Sequence, residues 1–180
     1  ASNRILRRVG SSEAWLWSAG REPVSLGTSV GYSSRFSLDG TRFYLEGPSD
    51  ESSETMPLSV HIVGSGAALT VAQVKPCACD GAPPPMFSPS GRYLMYRDYG
   101  ALSHGWYLFD TANAWLSAVS AFTQWHPDGD SYIFMRDSLP WRHDIATGSE
   151  RLLADVAPVG HPDYRDNAVE FLGGGLALLR

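Results

Sequence analysis

The sharpest chemical pattern in the sequence is Cys77-Ala78-Cys79. Two thiolates at this spacing offer two soft ligands to copper or zinc. A metal centre needs one or two more, and neither His61 nor His104 lies close by in the chain. A disulfide between residues two apart would be strained in extended backbone. The Cys-x-x-Cys-His spacing of a haem attachment site is absent. Cys77 and Cys79 therefore read as ordinary loop cysteines, remain weak metal candidates, and imply no cofactor.

The histidines and carboxylates give no better case for catalysis. His126-Pro127-Asp128 and His143-Asp144 both fall in turns, where the carboxylate's work is to bond backbone amides. His61 alternates with apolar residues and reads as a satisfied core group or one lying between sheets. Val63-Gly64-Ser65-Gly66 lacks the spacing of a nucleophile elbow. Glu46, Asp50, Glu51 and Glu54 share a Ser-rich stretch, but without the Asp-x-Asp-x-Asp-Gly spacing of a calcium loop they read as a solvated acidic segment. Arg97-Asp98 and Arg136-Asp137 end two similar runs and suggest charge contacts between neighbouring sheets. No enzyme is expected from these residues.

The elements that must position these side chains follow from an internal repeat. Phe36-Ser37-Leu38-Asp39-Gly40, Phe87-Ser88-Pro89-Ser90-Gly91 and Trp125-His126-Pro127-Asp128-Gly129 each lead into a run of aromatic and aliphatic residues. Pro and Asp start the turn, Gly takes the positive φ, and the flanks favour strands. The outgoing run, such as Tyr93 to Tyr96, is apolar on both faces and has to be covered from both sides. A second hairpin alternates with the first. Trp106 to Leu116 matches Trp141 to Leu152 through an Asp-x-Ala-Asn/Thr-Ala/Gly turn, with looser copies at 15–24 and 60–69. Trp15, Trp17, Trp106 and Trp141 recur on these strands and are expected to fill gaps between sheets, with Trp115 more exposed.

An aromatic-Ser-Pro-Asp-Gly hairpin followed by an Asp-x-x-Thr-Gly hairpin resembles the blade of TolB-like and WD40-like β-propeller repeats. The likeness covers about residues 10 to 155 and departs in the tail, where Tyr164 stands in place of the glycine after His161-Pro162-Asp163. It implies an all-β chain, a single propeller domain over 1–180 of about four four-stranded blades. Blade-like repeats are expected near 34–74, 86–120 and 124–154, with a composite blade from 10–27 and 167–180. Two arrangements stay open: a closed four-bladed ring, or part of a larger propeller that exposes open blade faces.

The first hairpin of a blade supplies strands A and B, and the second supplies C and D. The A–B and C–D turns are tight, whereas spare length gathers in the B–C and D–A connections at 46–57, 75–85, 97–105 and 154–167. Length added at one end is how a rigid scaffold grows a recognition surface. The expected partner-binding face carries Asp50, Glu51, Glu54, Asp98, Tyr99, His104, Asp137, Tyr164 and Arg165. The expected function is a non-enzymatic protein-binding or scaffold module, a structural or assembly subunit of a larger complex. The alternative is the substrate-gating propeller of a hydrolase, resembling prolyl oligopeptidases, with its catalytic domain elsewhere.

Bulk properties narrow the partners. A net charge of −5 argues against a nucleic-acid surface. No run approaches the ~18 apolar residues of a transmembrane segment. The basic residues are all Arg except Lys75. The expected partners are proteins, with a membrane-associated complex as a setting, because TolB-like propellers are often extracytoplasmic or periplasmic in bacteria.

Overall fold

The repeated turn motif folds the same way each time. In each, the residue after the aromatic bonds a carbonyl five residues on, and the turn glycine bonds back to it. The pairs are Ser37 N to Arg42 O at 2.9 Å with Gly40 N to Ser37 O at 2.9 Å, then Ser88 N to Tyr93 O and Gly91 N to Ser88 O at 2.8 Å. His126 N to Ser131 O at 2.9 Å and Gly129 N to His126 O at 3.1 Å complete the set. Gly40, Gly91 and Gly129 take φ of 67°, 72° and 90°, a region that costs other residues steric strain. Gly91 is needed twice over, since a Cβ there would sit 3.1 Å from the Asp39 carboxylate.

The computed structural model describes residues 4–9, 13–28, 34–48, 54–75, 83–100, 105–153, 169–173 and 176–179. Every regular element among them is a strand, and the strands pair antiparallel. Within residues 1–120, three sheets form. The first holds β1 (Arg4–Val9), β2 (Glu13–Ser18) and β3 (Val24–Thr28). The second holds β4 (Ser34–Phe36), β5 (Arg42–Glu46), β6 (Met56–Ile62) and β7 (Ala68–Val74). The third holds β8 (Met86–Phe87), β9 (Tyr93–Asp98), β10 (Gly105–Asp110) and β11 (Trp115–Val119). Within 121–180 lie a four-stranded sheet and a hairpin. The sheet comprises β12 (Gln124–Trp125), β13 (Ser131–Arg136), β14 (Leu139–Asp144) and β15 (Glu150–Leu152), and the hairpin joins β16 (Val169–Gly173) to β17 (Leu176–Leu179).

In residues 1–120 the sheets stack face to face. Alternation sends Phe43 and Leu45 of β5 towards the first sheet, where they meet Ala14, Leu16 and Leu26. It sends Tyr44, with Leu58, Val60 and Val71, towards the third sheet and Leu94, Tyr96 and Phe109. Full burial of such side chains contributes about 1.5–3 kcal/mol each. β9 and β13 begin with four consecutive buried residues, which meets the sequence-based requirement for cover on both faces. One lock recurs in three sheets: the first residue beyond strand C donates its amide to the carbonyl after the A–B glycine. The bonds are Val63 N to Thr41 O and Thr111 N to Arg92 O at 2.9 Å, and Ile145 N to Asp130 O at 3.1 Å.

No ladder among the described residues closes a ring. The hairpin β16–β17 pairs only with itself, and the edge of β2 away from β3 carries β1. Of the two arrangements, the incomplete propeller is the one that fits. The tryptophan expectation needs correction. Trp17 is 44% exposed, on the face of β2 opposite Ala14 and Leu16, and Trp15, Trp106 and Trp141 are only half-buried. Trp115 is exposed, at 54%.

Candidate functional site

The B–C and D–A connections leave residues 1–120 at the ends of β5, β6, β7 and β9, and three of the expected site residues meet there. Asp98 closes β9 and reaches across to the second sheet. Its Oδ1 accepts from Lys75 N at 3.0 Å and from Gly100 N at 3.0 Å. Tyr99 N donates to Lys75 O at 3.2 Å, so two main-chain segments from neighbouring sheets are clamped together. Lys75 turns its ammonium to the Glu54 carboxylate, just before β6, in an exposed ion pair. That hydrogen bond and charge hold Glu54 below the usual carboxylate range. Glu54 also carries a left-handed φ of 53°, a strain that non-glycine residues adopt only when their surroundings enforce it.

The arginines of the paired Arg-Asp runs behave differently from expectation. Arg97 lies over the rings of Tyr99 at 5.0 Å and Trp106 at 5.8 Å, within its own sheet. Arg136 lies over Phe134 and Trp141 at 5.0 and 4.9 Å, and Nη2 donates to Glu150 Oε2 at 2.7 Å. The contact between neighbouring sheets is made by Asp98 with a backbone amide. Asp137 and Ser138 form the two-residue turn between β13 and β14, both left-handed at φ 52° and 62°. Here the B–C connection is as short as a hairpin allows, unlike its counterparts.

The structure thus joins Glu54, Asp98 and Tyr99 around Lys75, and places Asp137 in a separate tight turn. Asp50, Glu51, His104, Tyr164 and Arg165 lie outside the described residues, as do Cys77 and Cys79. Lys75 was absent from the expected set, although being the only lysine in the sequence marked it out. Among the described residues, no three His, Cys, Asp or Glu side chains gather to hold a metal. The cluster offers carboxylate oxygens, an ammonium, a guanidinium between aromatic rings and a phenol. Such groups can hydrogen-bond and ion-pair with a polar ligand or protein surface.

The turn ends hold the other titratable groups in structural duties. Asp144 Oδ1 accepts from Thr147 N at 2.9 Å and Thr147 Oγ1 at 2.8 Å. Asp110 pairs with Arg92 through Nε at 3.2 Å and Nη2 at 2.8 Å. Burial would raise the Asp110 carboxyl, but these bonds, with the Ala112 amide and Asn113, outweigh it and hold the group below its ordinary value. His61 stacks on Phe43 at 5.0 Å, and His143 stacks on Tyr132 at 4.8 Å. Both are register partners across the B and C strands, with the aromatic three residues past the turn glycine. His61 Nε2 lies 2.9 Å from Ser59 Oγ, and burial pushes its pKa down.

No protein-family model matches the chain. No curated protein matches it either. Among solved structures it is similar to the β-propeller domain of the Trilobed protease from Pyrococcus furiosus, described as having an open velcro topology. Identity is 11% over 83% of this chain and 52% of that one, with a TM-score of 0.51. It is also similar to TolB from Acinetobacter baumannii, at 17% identity over 83% of this chain and 40% of that one, with a TM-score of 0.48. The chain spans about half the length of these structures. No helix among the described residues is long and apolar enough to cross a membrane. The repeated hairpins, the antiparallel four-stranded sheets stacked face to face and the likeness to the Pyrococcus furiosus domain make this fold a β-propeller, with repeats that resemble the TolB-like kind.

Proposed function

We propose that this chain is a non-enzymatic protein-binding propeller, an assembly subunit whose partner meets the connection end of its sheets. The observation that carries this reading is the Glu54–Lys75–Asp98–Tyr99 cluster, which fixes two neighbouring sheets and leaves charged groups at the surface. Its strained Glu54 backbone is the kind of feature found where a surface is shaped for contact. Asp50, Glu51, His104, Asp137, Tyr164 and Arg165 are proposed as further partner contacts. The resemblance to TolB-like repeats supports a place outside the bacterial cytoplasm, peripheral to a membrane complex.

A second reading has one specific observation behind it, the likeness to a protease's propeller domain. In that reading the sheets gate substrate for a catalytic domain carried on the same polypeptide. Affinity isolation from the native source separates the two. The first reading expects a separate partner protein to be retained by the chain and lost when Glu54, Asp98, Tyr99 and Asp137 are replaced together by alanine. Undiminished retention by that variant removes the proposed face. A native polypeptide that carries a hydrolase domain beyond these residues establishes the gating reading instead.

A further inference from the structure

The first and second sheets pack closely near Ala14, Phe43 and Leu45, but they part towards their C–D turns. The gap is a cleft of about 1000 Å3. Such a volume is at the upper end for small-molecule sites, which are typically apolar with a few polar groups to fix orientation. Its lining mixes apolar and polar groups. Leu16, Leu26 and Val63 give aliphatic walls, and the stacked rings of Phe43 and His61 give an aromatic one. Burial lowers the His61 pKa and so favours its uncharged imidazole.

The polar groups sit where the two turns border the cleft. Arg21 is its one guanidinium and is exposed. It makes no ion pair among the described residues. The opposite turn places Gly64 and Gly66 at φ of 87° and 69°, and their amides hydrogen-bond nothing among the described residues. Ser65 and Ala67 spend their amides within the turn, so Gly64 and Gly66 each offer a single open donor to a polar or anionic group. Glu22 is the single carboxylate on the cleft. Donors outnumber it.

We propose that this cleft binds a small aromatic amphiphile, its flat apolar body between the sheets and an anionic head at Arg21. The site is separate from the connection end and stands whether or not that end binds a protein. Two dyes of nearly the same shape test it: 8-anilinonaphthalene-1-sulfonate, which is anionic, and N-phenyl-1-naphthylamine, which is neutral. Both are expected to bind saturably at one site, with shifts in the backbone amide resonances of Gly64, Gly66 and Ala67. Arg21→Ala is expected to weaken the anionic dye by roughly three- to fivefold, the range of an exposed ion pair, and to leave the neutral dye within about twofold. Ala67→Trp, at an exposed position on the cleft, is expected to abolish both. Unsaturable binding, or amide shifts elsewhere in the molecule, overturns the site. Equal loss of the two dyes in Arg21→Ala overturns the anionic head.

Discussion

Asp98 shows how much can hang on one carboxylate. Its Oδ1 takes amides from Lys75 and Gly100, and without it both half-buried donors lose their partner. Asp98→Ala is expected to lower stability by about 1–2 kcal/mol, measured by urea denaturation, because unsatisfied buried donors keep their full desolvation cost. Asp98→Asn keeps an oxygen acceptor and is expected to lose far less. His61 yields a pH prediction. Its folded pKa lies below the ordinary 6.5, so the unfolded state takes up the proton first as pH falls. Stability is then complete above that value and declines as pH drops from it through the folded pKa. His61→Phe keeps the ring stack on Phe43 and is expected to flatten the stability profile between pH 7 and 5. An unchanged slope would assign that titration elsewhere. Sequence reasoning saw Asp98 but not what it binds, because its partner Lys75 lies 23 residues away on another sheet. Only the stacked register makes the two neighbours.

At the scale of the element, the two-residue and glycine turns set both register and strain. In the matching C–D turns, Gly148 has φ 67° while Ala114 has φ 51°. A left-handed backbone costs a non-glycine residue roughly 1–2 kcal/mol. Ala114→Gly is therefore expected to stabilise by about 1 kcal/mol and to raise Tm by roughly 2–4 °C, as read by thermal denaturation. Gly148→Ala is expected to destabilise by a similar amount, since a Cβ there meets nothing and only the φ matters. These turns were legible because Gly, Asp and Pro at fixed offsets report backbone geometry directly. The Asp137–Ser138 turn was not, since neither residue advertises a positive φ as Asn-Gly would. Arg97 and Arg136 were misjudged for a related reason. An arginine beside an aspartate in sequence alternates to the opposite face of a strand, and the aromatic rings on its own face take it instead.

At the scale of the molecule, alternating hairpins gave away the architecture, because each blade repeats the same turn chemistry and the same doubly covered strand. Ring closure was not legible. It depends on which edges pair, and edge pairing has no local sequence signature; within its own sheet β2 pairs with β1 on one side and β3 on the other. In the proposed function, rigid stacked sheets present their connection end to a protein partner. Amide hydrogen exchange, measured on the chain alone and with the partner isolated from its native source, tests it most directly. The slowest exchange is predicted in β5, β9 and β13, with added protection on partner binding at Glu54, Lys75, Asp98 and Tyr99. Uniform exchange across the strands would contradict the stacked sheets. Protection confined to the turns at Gly40 and Gly91 would contradict the connection end as the surface of contact.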